Sequence, residues 1–165
     1  MRMTVGRFGS RLLHKRDSHY IGRVDFEIDD SVARVDVDVL WEFMSTEAYW
    51  GRWRNRAQLE QQLMGAWRVV GAYRVSDGAM VGFARAVSDG AGLAYLADVF
   101  VVAQARGHGV GKALVKAMID DGPGPEFRWM LHTADAHDLY RQFGFREPDP
   151  TYMERPGPTA PVVDG

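Results

Sequence analysis

The chain has 165 residues, a length suited to one domain with one core. Its 46% apolar and 25% charged residues exclude a disordered or fibrous chain. A formal charge of -2 supplies no basic field for nucleic acid, and the absence of cysteine excludes disulfides, thiolate metal sites and a cysteine nucleophile. A small molecule or peptide is therefore the expected partner.

No apolar run approaches the ~18–20 residues that span a bilayer, and the first residues lack a signal peptide's apolar centre. A cytoplasmic protein without membrane contact is expected. Residues 1–16 carry five basic side chains and no acid, so residues 1–31 read as a basic, partly disordered extension. Residues 32–155 read as the folded domain and residues 156–165, rich in proline, as a disordered tail. Scarce lysine beside abundant Arg, Ala, Gly, Val and Asp suggests a bacterial source.

Along the chain, ARVDVDVL at residues 33–40 alternates apolar and polar residues and predicts a first strand, with a hint of another strand near Val24. Residues 41–49 and 56–66 have helical spacing and predict two short helices around a break at 50–55. Residues 67–75 and 80–87 predict an antiparallel hairpin closed by Ser76, Asp77 and Gly78. LAYLADVFVV at residues 93–102 has few polar interruptions and predicts a strand covered on both faces, in the middle of the sheet. A helix through Ala113, Leu114, Ala117 and Met118 follows, then a strand from Phe127. A short helix capped by Asp135 and ended by Gly144 completes the pattern.

The loop AQARGHGVGK is the most informative stretch. Gly107, Gly109 and Gly111 alternate where a buried strand gives way to a helix, whose first turn has free N–H groups and a partial positive charge. That combination suits a pyrophosphate. Spacing separates this loop from two others that use the same physics. The dinucleotide fingerprint needs a third glycine where Lys112 or Leu114 stands, and a Walker loop needs a leading glycine where Arg106 stands and Ser or Thr where Ala113 stands.

Gln104, Gly107 and Gly109 supply Gln-x-x-Gly-x-Gly, which resembles the acetyl-CoA-binding motif of the GNAT superfamily of N-acetyltransferases. Upstream, LADVFV resembles that family's central strand; downstream, AHDLYRQFGF resembles its second signature, a helix bearing Leu-Tyr followed by Gly-Phe. The resemblance implies an α/β fold with a mixed, mostly antiparallel sheet flanked by helices. It also implies transfer of acetyl from acetyl-CoA to a primary amine of a small molecule or peptide, by direct attack in a ternary complex and without a metal. A non-catalytic acyl-CoA-binding regulatory module is the alternative that keeps the same loop.

Carried over by motif position, the backbones of Val99, Phe100 and Val101 would bind the pantetheine arm, and a backbone N–H such as that of Val101 would meet the oxyanion. The N–H groups of Gly107, His108, Gly109, Val110, Gly111 and Lys112 would hold the pyrophosphate, with charge from Arg106 or Lys112. Tyr140 would be the general acid, since a hydroxyl of pKa about 10 can supply or share a proton with a departing thiolate of pKa about 8.5. Asp98 is the preferred base, as a carboxylate inside an apolar strand, and His137 is the other candidate. Tyr49 and Trp50 are candidates for the acceptor pocket. His132 and His137 form no complete metal-ligand set. Exposed sheet edges leave a homodimer open.

Overall fold

The computed structural model describes residues 24–155 and 157. The basic arm expected at the N-terminus and most of the proline-rich tail lie outside the described residues. Five strands form one sheet in the order β1-β2-β3-β4-β5: β1 (Phe26–Asp29), β2 (Arg68–Arg74), β3 (Met80–Ser88), β4 (Leu93–Val101) and β5 (Arg128–Met130). The first four pair antiparallel, whereas β5 runs parallel to β4 and pairs with it only at Leu93–Arg128, Ala94–Trp129 and Tyr95–Met130. Helices α1 (Val37–Thr46) and α2 (Arg56–Met64) accompany one face; α3 (Val110–Met118) covers the other, and α4 (His137–Arg141) follows β5.

Three readings of the sequence are corrected. Residues 33–40 are not a strand: a 3-10 turn, Val32–Arg34, leads directly into α1. The alternating valines misled because Asp36 accepts hydrogen bonds from the N–H groups of Asp38 and Val39 and starts a helix in mid-pattern. The hinted strand near Val24 is the real first strand, so the folded unit begins inside the stretch read as an extension. The middle of the sheet is β3, buried at its first seven positions, while β4 alternates between deeply and partly buried residues because β5 covers so little of it.

Two apolar layers sandwich the sheet. On one side Leu114, Val115 and Met118 of α3 pack on Val70, Ala72, Ala84 and Leu96. Gly82 lets α3 come this close, because a Cβ there would lie 3.0 Å from Leu114 Cδ1 and 3.1 Å from Val110 Cγ1. On the other side Leu40, Phe43 and Met44 of α1 and Leu59 and Leu63 of α2 pack on Val69, Tyr73, Phe83 and Phe100. Phe43 stacks on Phe100, with ring centroids 4.1 Å apart.

A bulge interrupts β4. Phe83 faces Phe100 and Arg85 faces Ala97, so Asp98 and Val99 together oppose Ala84, and Asp98 takes a left-handed φ of 52°. One extra residue reverses the side-chain alternation. Leu96 belongs to the α3 layer, yet Phe100, four residues on, belongs to the α1–α2 layer.

Candidate active site

Because β5 leaves β4 after Tyr95, the remainder of β4 has, among the described residues, an unpaired edge on that side. A cleft of about 600 Å³ opens there, lined by Val99, Phe100 and Val101 from β4, Arg106 and Gly111 from the glycine loop, and Asp135, Ala136, Leu139 and Tyr140 at α4. Its remaining wall is Phe43, Thr46, Glu47, Tyr49, Trp50 and Arg52, from α1 and the segment after it. Residues far apart in sequence, read separately as loop, strand, tyrosine and acceptor wall, thus meet around one space.

The glycine loop has the expected geometry. Gly107 and Gly109 take φ of 78° and 82°, and Gly109 is the N-cap of α3. The N–H groups of residues 107–112 find no backbone acceptor among the described residues, the condition for receiving an anion's oxygens. A Cβ at Gly107 or Gly109 would meet nothing within 4 Å, so space is open beside both. Arg106 donates from Nε to the Val101 carbonyl at 3.0 Å and from Nη2 to Glu47 at 3.0 Å, joining loop, strand edge and α1 across the cleft. The His108 ring instead turns to the N-terminal side, accepting from the Val24 N–H at 3.3 Å.

Tyr140 lies in the cleft wall at 8% exposure, edge-to-face with Phe145. Burial, with smaller contributions from Asp135, Tyr49 and Tyr95, pushes its pKa up to about 12. Its hydroxyl therefore stays protonated at neutral pH and can donate. The helix carrying it is not capped by Asp135 as expected: Ala136 is the N-cap, and its N–H bonds to the Thr133 hydroxyl at 3.0 Å. Asp135 is freed to line the cleft. Tyr49 accepts from the Ala134 N–H at 2.8 Å and meets Trp50 edge-to-face, which ties the acceptor wall to the strand-to-helix junction opposite.

The two residues expected to remove a proton are placed differently. Asp98, 6% exposed, is gripped by two guanidinium groups: Arg54 bonds both carboxylate oxygens at 2.8 and 3.0 Å, and Arg85 Nε bonds one at 2.8 Å. Burial acts to raise its pKa, but the Arg54 hydrogen bonds and the charges of Arg85 and Arg54 outweigh it and hold the carboxyl below its ordinary value. A carboxylate so occupied is a poor base, and it does not line the cleft. His137 is exposed on the outer side of α4, away from the cleft lining. Arg54 and Arg85 escaped the sequence reading because nothing local marks an arginine that will pair with a carboxylate 44 or 13 residues away.

Among the described residues no group of three or more His, Asp or Glu is arranged to hold a metal, and no helix is long and apolar enough to cross a membrane.

A family model described as an acetyltransferase (GNAT) domain matches residues 67–147, the stretch from β2 through α4 that builds the loop, the strand edge and the tyrosine helix. No functionally curated protein matches the sequence. Among solved structures, a GNAT-family protein from Xanthomonas campestris pv. campestris is 31% identical, superposes with a TM-score of 0.76, and is matched over 84% of this chain and 97% of its own. A GNAT-family acetyltransferase from Streptococcus pneumoniae shares the fold at 23% identity and a TM-score of 0.65, over 81% of this chain and 99% of its own. So does glucosamine-6-phosphate N-acetyltransferase from Arabidopsis thaliana, at 12% and 0.56, over 79% and 98%. Strand order, glycine loop, tyrosine helix and an extensive match above 30% identity agree, and the chain belongs to the GNAT superfamily of acetyltransferases.

Proposed function

We propose that this protein transfers acetyl from acetyl-CoA to a primary amine of a small molecule or peptide, within a ternary complex. The observation that carries the reading is the meeting, around one cleft, of unsatisfied loop N–H groups, an unpaired strand edge and a protonated tyrosine. The N–H groups of residues 107–112 receive the pyrophosphate, with Arg106 or Lys112 supplying charge. The free edge of Val99, Phe100 and Val101 hydrogen-bonds the pantetheine amides as an added strand would, and a β4 N–H meets the carbonyl oxygen as it gains charge. Tyr140 shares its proton with the departing thiolate sulfur and is kept neutral by the proton that the attacking nitrogen loses as the amide forms. Tyr49 and Trp50 present an aromatic wall to the acceptor, and Asp135 offers a carboxylate to its ammonium, whereas Glu47 is already paired with Arg106. With no cysteine in the chain, the amine attacks the thioester directly.

Calorimetric titration with acetyl-CoA, followed by a thiol-release assay over a panel of amines, tests this reading. Binding with amine-dependent release of CoA is the expected result. Binding without release by any amine would favour a regulatory acyl-CoA-binding module, and a folded sample that binds nothing would overturn the loop assignment.

A further inference from the structure

With Asp98 occupied by arginines, the proton of the incoming ammonium needs another way out, and a hydrogen-bonded chain stands where the sheet divides. Tyr95 is the last β4 residue paired with β5, opposite Met130, and His132 follows just past the separation. The Tyr95 hydroxyl lies 2.8 Å from His132 Nδ1, and His132 Nε2 lies 2.9 Å from a Glu154 carboxylate oxygen. An ionised carboxylate can only accept, so in the neutral ring Nε2 carries the hydrogen and Nδ1 accepts from Tyr95. The chain therefore has a direction: from a tyrosine near the cleft, through an imidazole, to a carboxylate in contact with solvent. The His132 and Glu154 side chains are 53% and 49% exposed. At the inner end, the relay stands where β5 leaves β4 and the cleft opens, and just beyond His132 the Ala134 N–H bonds Tyr49 and Asp135 lines the cleft. Residues 132–135 connect the relay to that lining.

We propose that Tyr95, His132 and Glu154 form a proton relay that takes the acceptor amine's proton from the cleft to solvent. This rests on the acetyl-transfer reading above. The ammonium N–H bond breaks as its proton passes, through water at the point where the sheet divides, to the Tyr95 oxygen, while the hydroxyl's own proton passes to His132 Nδ1. The neutral amine attacks with its freed electron pair, and the imidazolium is held by Glu154 until it sheds a proton to water and regains its neutral tautomer through solvent. Charged and titratable groups around the relay are Glu154 and Tyr152 on the C-terminal segment, Asp98 on β4 and Tyr140 on α4. The first three, together with burial, oppose ionisation of Tyr95, so it passes a proton along without standing as a phenolate.

The test compares wild type, Tyr95→Phe and His132→Gln with two acceptors: an alkylamine, protonated at neutral pH, and an arylamine, already neutral there. For the alkylamine, kcat/KM should fall on the order of 10²-fold in both variants while acetyl-CoA affinity is unchanged. The loss should shrink as pH rises, moving the acidic limb of the profile to higher pH. For the arylamine, the loss should be a few-fold at most. Equal losses with both amines would assign these residues a structural role and overturn the relay, as would wild-type rates and profiles in folded variants. A wild-type protein that acetylates neither amine removes the acetyl-transfer reading and the relay with it. An active wild type with unaffected variants removes the relay alone.

Discussion

Tyr140 and Asp98 show how burial has opposite consequences according to what surrounds the group. Among the described residues no arginine or lysine partner balances burial of the Tyr140 hydroxyl, and the pKa rises; Asp98 has two guanidinium partners, and it falls. Tyr140→Phe should lower kcat by 10²-fold or more while acetyl-CoA affinity, measured by calorimetry, stays near wild type. Asp98→Asn should instead act on stability. It leaves Arg54 and Arg85 buried without their counter-charge, which should cost about 3–5 kcal/mol in urea unfolding at pH 7. Because the folded-state pKa lies below the ordinary 3.8, the carboxylate's contribution is complete above that value and disappears as pH falls through the lower folded one. The stability gap between wild type and Asp98→Asn should therefore close only in strong acid. Sequence made Tyr140 legible because its motif fixes its place on a helix beside Gly144. It made Asp98 conspicuous yet gave the wrong reason, since a carboxylate in an apolar strand looks the same whether it is a base or a counter-ion.

At the scale of elements, the hairpin, the buried strand, the glycine loop and the helix after it were all legible, because each has a strong local period or a turn residue at its end. The exceptions share one cause: local pattern overridden by contacts the pattern does not contain. Three valines alternating with aspartates suit a strand, but Asp36 placed as a cap commits Val37 and Val39 to α1 and leaves Val35 outside it. The strand read from Phe127 is present as β5, but it spans only three residues, because its parallel ladder to β4 ends at Met130, a limit no local pattern marks. The loop and α3 work as a unit with β3, and Gly82 sets their distance. Gly82→Ala should force Leu114 and the Phe100 carbonyl apart from it, lowering stability by about 1–3 kcal/mol and weakening acetyl-CoA binding as the loop moves with α3. Gly109→Val acts differently: no protein atom crowds its Cβ, so the cost comes from a left-handed φ that a branched residue resists. In a folded variant, acetyl-CoA affinity should fall while the β3–α3 packing is preserved, and an unchanged dissociation constant would contradict the loop's assignment.

For the molecule as a whole, acetyl-CoA should behave as part of the fold. A ligand that fills the gap between β4 and β5 joins the α4 side to the α1 side, which meet directly through contacts such as Tyr49 to Ala134. At a concentration 100 times its dissociation constant it should stabilise the folded state by about 2.7 kcal/mol, raising Tm by roughly 5–10 °C in calorimetric scans. CoA lacking the acetyl group should give much of the same shift, since loop and strand edge hold the shared portion. The bulge at Asp98 works on this same global scale, like an inserted letter that changes the reading frame of everything after it. Before it, even-numbered Leu96 faces α3; after it, even-numbered Phe100 faces α1. Deleting Asp98 would let Val99 alone oppose Ala84, with Phe100 still against Phe83 and α1 and with Val99 and Val101 still toward α3, so the strand that lines the cleft would keep its faces and lose only the kink and the carboxylate that Arg54 and Arg85 hold.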